Sequence, residues 1–253
     1  MSRNQLQTQR FEFKYQIPER TALQIRDFLA AYLDLDEYGA SRPDYSYPVH
    51  SLYFDSDDFY LYNSTINGDK NRYKLRLRFY EDRPEAPVFF EIKRRVDNTI
   101  AKSRGGVKRE AVDAVVAGQI PMVSELVSRD PRHLLAIQEF IRLSQMIGAR
   151  PKTHVAYLRE AWLSRHDNSV RVTMDRNVRS AVEHTTRMCA EMDNPVLSFE
   201  NRVILELKFT NRFPNWFLEL VRIFGLHQTG AAKYVDGLSL IQSRVPRDLA
   251  MMF

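Results

Sequence analysis

The sequence predicts an α+β chain in which an antiparallel β-sheet of about eight strands closes as a barrel flanked by helices. Three observations lead there. Short segments alternate with a period of two, as in Arg10–Ile17 and Arg72–Phe79, placing charges on one face and apolar residues on the other. The charged faces are mostly cationic: Lys74, Arg76 and Arg78 alternate with Leu75, Leu77 and Phe79. Helical stripes near Leu23–Leu33, Leu134–Met146 and Trp216–Phe224 then supply cover for apolar outer faces.

At 253 residues and 44% hydrophobic content, the chain can build one large domain, or a domain with a subdomain. A net charge of +5 and a pI near 9.3 admit phosphate, nucleic-acid or anionic-membrane ligands without choosing among them. Cys189 is the sole cysteine, which excludes an intrachain disulfide framework and fits a reducing compartment. The polar first residues do not read as a signal peptide and no apolar run reaches a membrane span, so the expected location is cytoplasmic. Under that expectation the sequon Asn63-Ser64-Thr65 is a chance match, and Leu249–Phe253 is a short apolar end for docking on the body or on a partner.

In order, Arg10–Ile17 reads as a strand, with Arg10, Glu12 and Lys14 opposite Phe11, Phe13 and Tyr15. Pro18 opens a helix carrying Leu23, Phe28, Leu29, Tyr32 and Leu33. A loop over Gly39–Pro48 precedes a strand at Val49–Asp55, and Asp57–Lys70 reads as a turn with a short helix. Arg72–Arg95 forms two strands about a Pro-containing turn, with Glu91 and Lys93 alternating with Phe90 and Ile92. Residues 98–106 pair next, placing Lys102 and Arg104 on one face, and Gly105 and Gly106 are expected to break that strand. Helices occupy Val107–Gly148, the clearest starting at Asp130-Pro131 and burying Leu134, Ile137, Ile141 and Leu143 or Met146. Strands resume from Pro151: His154–Trp162 carries Tyr157 and Arg159, and Ser169–Met174 sets Arg171, Thr173 and Asp175 on one face, with 177–182 extending or pairing with it. A long connection over Glu183–Asn201 leads to the strand Val203–Phe209, where Glu206 and Lys208 face together. Pro214 starts a short helix that Gly225 ends, and a further short helix follows Ala232–Gly237.

Any one such strand is compatible with a half-buried sheet whose charges sit in water. Repetition argues otherwise, because cations sharing a face repel one another. A charged lumen is costly unless an anionic, hydrated ligand fills it. Arginine suits bidentate phosphate contacts, lysine serves as a mobile point charge, and interspersed carboxylates are the usual ligands of Mg²⁺ or Mn²⁺ bridging phosphate oxygens. The six histidines at 50, 133, 154, 166, 184 and 227 lack zinc spacing, and neither a P-loop nor a Gly-x-Gly-x-x-Gly segment is present.

Several segments carry a family resemblance: Arg10–Tyr15, Ser51-Leu-Tyr-Phe-Asp55, Lys74-Leu-Arg-Leu-Arg78, Phe90-Glu-Ile-Lys93, the Lys102/Arg104/Lys108 run, Tyr157-Leu-Arg159, Ile204-Leu-Glu-Leu-Lys208 and Lys233-Tyr-Val-Asp-Gly237. In this order, over about residues 10–240, the chain resembles the catalytic domain of the vacuolar transporter chaperone (VTC) family, the polyphosphate polymerases of the triphosphate tunnel metalloenzymes. The resemblance implies a triphosphate tunnel fold, with residues 1–253 as a single domain and a helical insertion at about 107–148. It implies transfer of the terminal phosphoryl group of ATP to a polyphosphate chain, with ATP and inorganic polyphosphate as partners, no nucleic acid, and any membrane coupling left to other chains.

Carried over by position, Lys14, Arg76, Arg78, Lys93, Arg159 and Lys233 are the expected catalytic phosphate clamps. Lys74, Lys102, Arg104, Lys108, Arg171 and Arg10 are expected to bind substrate, and Glu206, with Glu12 and Glu91, to hold Mn²⁺ or Mg²⁺. Hydrolytic relatives of the superfamily begin with Glu-x-Glu-x-Lys, whereas this chain reads Arg10-x-Glu12-x-Lys14, which favours transfer over hydrolysis. The alternatives are a tunnel triphosphatase acting on tripolyphosphate or nucleoside triphosphates, and a non-catalytic polyphosphate-binding module.

Overall fold

Alternating segments become strands, and several run longer than their pattern. The computed structural model describes residues 10–244 apart from 98, 166, 168 and 211, so Leu249–Phe253 and the side chain of Arg10 lie outside the described residues. The strands are β1 (Arg10–Pro18), β2 (Asp34–Leu35), β3 (Ser46–Asp55), β4 (Asn71–Phe79), β5 (Val88–Val96), β6 (Thr99–Val107), β7 (Arg150–Leu163), β8 (Val170–Val182), β9 (Val196–Leu197) and β10 (Arg202–Thr210). The helices are α1 (Glu19–Leu29), α2 (Glu37–Ala40), α3 (Tyr60–Ile66), α4 (Val112–Val116), α5 (Pro131–Met146), α6 (Asn215–Ile223) and α7 (Lys233–Arg244). Among the described residues no helix is long and apolar enough to cross a membrane.

The chain divides into two compact units. The first comprises the residues up to Tyr47, Leu158–Asn177 and Phe199–Ala231; the second comprises Pro48–Tyr157, Val178–Ser198 and the residues from Ala232. In the first, β1 pairs antiparallel with β10, β10 with β8, and β2 with β7. Its core gathers Ala22, Ile25 and Leu29 of α1, Leu205 and Leu207 of β10, and Phe217 and Leu220 of α6. In the second, β3, β4, β5 and β6 are consecutive antiparallel neighbours, and α5 covers their apolar face by packing Ile137 and Phe140 with Leu75, Leu77, Phe90 and Ile92.

The expected α+β chain with an antiparallel sheet flanked by helices is found, and the expected closure into a barrel is corrected. Among the described residues eight strands are ordered β1-β10-β8-β7-β3-β4-β5-β6, with β2 and β9 attached to β7 and β8, a path with two ends rather than a ring. Each end is partly covered, as exposed strand edges usually are. Tyr15 of β1 bridges to Gln228, and Val107 of β6 bridges to Leu126.

Gly105 and Gly106 do not break β6; both lie inside it. A Cβ on Gly105 would come within 2.2 Å of the His133 carbonyl oxygen, and one on Gly106 within 2.9 Å of the Phe89 ring. These glycines let α5 and a neighbouring ring approach the strand closely, a common reason for glycine inside a strand. Asp36 caps α2 by accepting from the Tyr38 amide at 3.0 Å, and the helix runs into Gly39 and Ala40, where a loop was expected. Lys233–Gly237 forms the start of α7 rather than preceding it, and Gly237 permits an approach to Ser180 that a Cβ would block at 2.2 Å.

Asp55, fully buried, organises one corner of the second unit. Its carboxylate accepts from the amides of Ser56, Leu61 and Tyr62 and, at 2.6 Å, from the Tyr234 hydroxyl, joining the end of β3 to α3 and α7. Burial and the Asp55 carboxylate both push the Tyr234 phenol up from its ordinary value, which keeps it a donor. Tyr234→Phe leaves one lone pair of a buried carboxylate unmet, and the expected cost is about 1–3 kcal/mol, read as a lower urea midpoint with unchanged slope.

Candidate functional site

Each unit carries a carboxylate ringed by cations. In the second unit the register sets Arg76 opposite Glu91 on β5, and Glu91 opposite Arg104 on β6. Glu91 is almost wholly buried, and Arg76 closes on it with Nε and Nη2 at 2.8 and 2.7 Å from Oε2. Lys102 Nζ lies 2.6 Å from Oε1, Arg104 Nε 3.5 Å from the same oxygen, and Arg78 Nε 3.8 Å from Oε2. Hydroxyls complete the setting. Arg76 Nη1 donates to Tyr53 at 2.9 Å, and Arg78 Nη2 donates to Ser51 and Tyr157 at 3.2 and 3.1 Å. Lys233 Nζ sits 5.1 Å from the centroid of the Tyr157 ring, and Tyr53 stacks on Tyr234 with centroids 4.9 Å apart.

The field of this cluster is strongly positive. Burial opposes ionisation of Tyr53, yet Arg76, Lys74 and Arg78 bring its phenol down to about 8. Burial also opposes a charged Glu91, yet Arg78, Arg76 and Lys102 hold its carboxyl well below the usual range. Lost hydration at the Lys102 amine, whose side chain is still 44% exposed, is reinforced by Arg78 and Arg76 against the pull of Glu91 and brings the amine from 10.5 to about 7. One carboxylate does not neutralise the three neighbouring arginines, so the site favours added negative charge.

That field has a titratable signature. Lys102 has its pKa depressed in the fold, so between about 7 and 10.5 the unfolded chain binds more protons, and this residue's contribution to stability improves as pH rises through that window. A bound polyanion reverses the shift for Lys102 and for Tyr53. Binding near pH 8.5 is expected to take up protons and to weaken with rising pH. Calorimetry in buffers of different ionisation enthalpy measures the uptake, and Lys102→Met reduces it. Proton release on binding would contradict this electrostatic account.

In the first unit Glu206 is one of the buried carboxylates, and the register sets Lys14 of β1 and Thr173 of β8 on either side of it. Lys208 Nζ lies 2.5 Å from Glu206 Oε2, Lys14 Nζ 3.6 Å from Oε1, and Arg159 Nη2 3.9 Å from Oε2. Arg159 also grips Asp175 through two hydrogen bonds of 2.7 Å, and Lys14 lies 3.2 Å from Glu12.

The structure brings Arg76, Arg78, Lys102, Arg104 and Glu91 together in one unit, and Lys14, Arg159, Glu12 and Glu206 in the other. Lys74 and Lys93 face each other in register beside the Glu91 row, and both are half-buried. Lys108 stands exposed beyond the end of β6. Arg171 Nη2 turns to Asp36 at 3.2 Å, with Tyr47 at 3.4 Å. Ser51, Tyr53, Thr173, Asp175 and Lys208 complete the two clusters without having been expected as site residues; their alternation with buried apolar neighbours was the available signal.

The carboxylates differ in fitness for a metal. Both oxygens of Glu91 are engaged by cations, so a divalent ion there would meet four positive side chains. Glu12 and Glu206 lie on neighbouring strands, flanking Lys14. Glu206 too has cations at both oxygens, Lys208 and Arg159 at Oε2 and Lys14 at Oε1, and among the described residues no group of three or more His, Cys, Asp or Glu side chains is placed to hold a metal. What sets this pair apart is that two carboxylates stand together, as Mg²⁺ and Mn²⁺ sites completed by water and phosphate oxygens usually need.

The profile of the VTC domain family matches residues 9–242. Subunit 4 of the vacuolar transporter chaperone complex of Trypanosoma cruzi (strain CL Brener) is 24% identical over 231 residues, covering 79% of this chain and 29% of that protein. The chain thus spans less than a third of that relative's length. Among solved structures, a candidate adenylate cyclase from Bacillus halodurans has a TM-score of 0.49 at 12% identity, covering 88% of this chain and 94% of that one.

Proposed function

The chain belongs to the VTC domain family, and from that premise we propose that it is a polyphosphate polymerase-type phosphotransferase. The observation that carries this reading is the second-unit cluster, in which Arg76, Arg78, Lys102 and Arg104 converge on a single buried carboxylate. In the proposed reaction a terminal oxygen of the polyphosphate chain attacks the γ-phosphorus of ATP. The bond from that phosphorus to the β,γ-bridging oxygen breaks, and ADP leaves with the electron pair. Arg76 and Arg78 offer planar donor forks to phosphate oxygens, and their hydroxyl partners Tyr53, Ser51 and Tyr157 hold them in place before substrate arrives. Lys102, Lys93, Lys74 and Lys233 add point charges, and Lys14 and Arg159 act in the first unit. Phosphoryl transfer asks for positioning and charge stabilisation rather than a protein nucleophile, so this inventory suffices in kind.

Glu206 and Glu12 are the proposed holders of Mn²⁺ or Mg²⁺, which when bound neutralises phosphate charge and orients phosphate oxygens. ATP and polyphosphate are the proposed partners. The test incubates purified protein with ATP and Mn²⁺, following chain length on a gel and free phosphate in solution. Lengthening chains with ADP release support the polymerase. Free phosphate without chains assigns a triphosphatase, and polyphosphate binding without turnover assigns a binding module.

A further inference from the structure

The cationic face of the second unit extends beyond the residues assigned to the reaction. β4 and β5 pair as Arg78–Phe89, Arg76–Glu91, Lys74–Lys93 and Arg72–Arg95, and β6 continues the middle rows with Arg104 and Lys102. Alternate residues of a strand share a face, so Arg72 and Arg95 stand on the face that carries Arg76 and Glu91. Four residues of strand put the Arg72 row roughly 14 Å from the Arg76 row. The three phosphorus centres of a triphosphate span less than that.

At this far end an open recess of about 240 Å³ is lined by Gly68, Lys70, Arg72, Arg95 and Asp97. Like charges directly opposite in an antiparallel pair are destabilising, yet Arg72 and Arg95 are register partners. Burial and the neighbouring Arg95 both push the Arg72 guanidinium down from its ordinary value. Each guanidinium is anchored from behind: Arg72 Nη1 donates to the Asp69 carbonyl, and Arg95 Nε donates to the Asp97 carbonyl at 2.9 Å. The rim is tied by the Asp97 amide donating to the Lys70 carbonyl at 3.0 Å. Asp97 in the lining and Asp69 beside Arg72 set two carboxylates against three cations, so the recess retains a positive excess. None of its lining residues is aromatic, so it lacks the stacking surface that single-stranded nucleic acids use.

We propose that the Lys70/Arg72/Arg95 recess is a second anion subsite, which holds phosphates of a long linear polyphosphate away from its reacting end. This rests on the polyphosphate reading above and narrows it, since a subsite two rows from Arg76 distinguishes long chains from short ones. Retention of the chain between additions follows from tethering: with one stretch bound at the recess, the chain end stays at high effective concentration near the Arg76 row.

The test compares the wild-type protein with Arg72→Ser/Arg95→Ser, titrating each with tripolyphosphate and with long-chain polyphosphate. A control pair, Arg129→Ser/Arg132→Ser, removes the same charge from exposed positions. The Arg72/Arg95 variant is expected to lose affinity for the long chain by roughly tenfold, with a shallower salt dependence, while tripolyphosphate binding changes by less than about twofold. The control pair should retain long-chain affinity. Equal losses for both ligands, no loss for either, or an equal loss in the control overturns the proposal. So does a loss confined to a single-stranded RNA probe. A wild-type protein that binds no polyphosphate overturns the function reading itself, and the subsite with it.

Discussion

Arg76→Ala is expected to lower kcat/KM for chain growth by at least about a hundredfold, the scale of removing one preorganised donor aimed at developing charge. The effect should exceed that of removing a single charge from the cationic face, because Arg76 does three things at once. Its guanidinium clamps Glu91 through two nitrogens and donates to the Tyr53 hydroxyl, and in the proposed reaction it also meets the phosphate oxygens. Arg76→Lys keeps the charge and loses the fork, so an intermediate loss is expected. Steady-state kinetics with ATP and polyphosphate, paired with direct polyphosphate titration, measure both parts. Near wild-type turnover in Arg76→Ala would remove the second-unit cluster from the site.

Glu91→Gln has the second large effect, and its two components oppose each other. The substitution keeps the shape and removes the single buried counter-charge of Arg76, Arg78, Lys102 and Arg104. Breaking a buried ion pair from one side costs about 3–5 kcal/mol, a large share of the ~5–15 kcal/mol by which domains are stable. The same change makes the site more positive, so polyphosphate affinity is expected to rise. Polyphosphate should then raise the melting temperature of Glu91→Gln by more than it raises that of the wild type. If Glu91 instead held a catalytic metal, the variant would lose metal-dependent turnover and gain no polyanion affinity. A variant as stable as wild type, with unchanged affinity, would show that the cations do not depend on this carboxylate.

The contrast between Glu91 and Glu206 marks where local sequence stops being informative. Both sit in apolar-alternating strands beside a lysine two residues on, as Phe-Glu-Ile-Lys and Leu-Glu-Leu-Lys. Read locally they are equivalent candidates for a metal. In the fold, Glu91 has its two oxygens engaged by Arg76 and Lys102 from the strands on either side. Glu206 is met by Lys208 of its own strand and by Lys14, which it shares with a second carboxylate, Glu12, from the adjacent strand. Gly105 and Gly106 make the same point for the backbone. As isolated residues they signal a break, and only the approach of α5 and Phe89 explains why they are glycine within a strand.

What the sequence by itself determined is the long strands, though not the two-residue strands β2 and β9, together with the face each presents and the sign of charge on that face. These follow from the two-residue period of the extended chain, which any window of a few residues displays. The positive excess around Arg76, Arg78 and Lys93 was therefore visible before any coordinate, as was the excess of cations over carboxylates across the chain. Only the tertiary structure decided which cation meets which carboxylate, that Arg72 and Arg95 line a recess, that Asp55 and Tyr234 are a structural tie, and that the pairing order is a path with two ends. Those outcomes depend on register and on helix packing between segments far apart in sequence, where a shift of one residue exchanges every contact and leaves the local pattern unchanged.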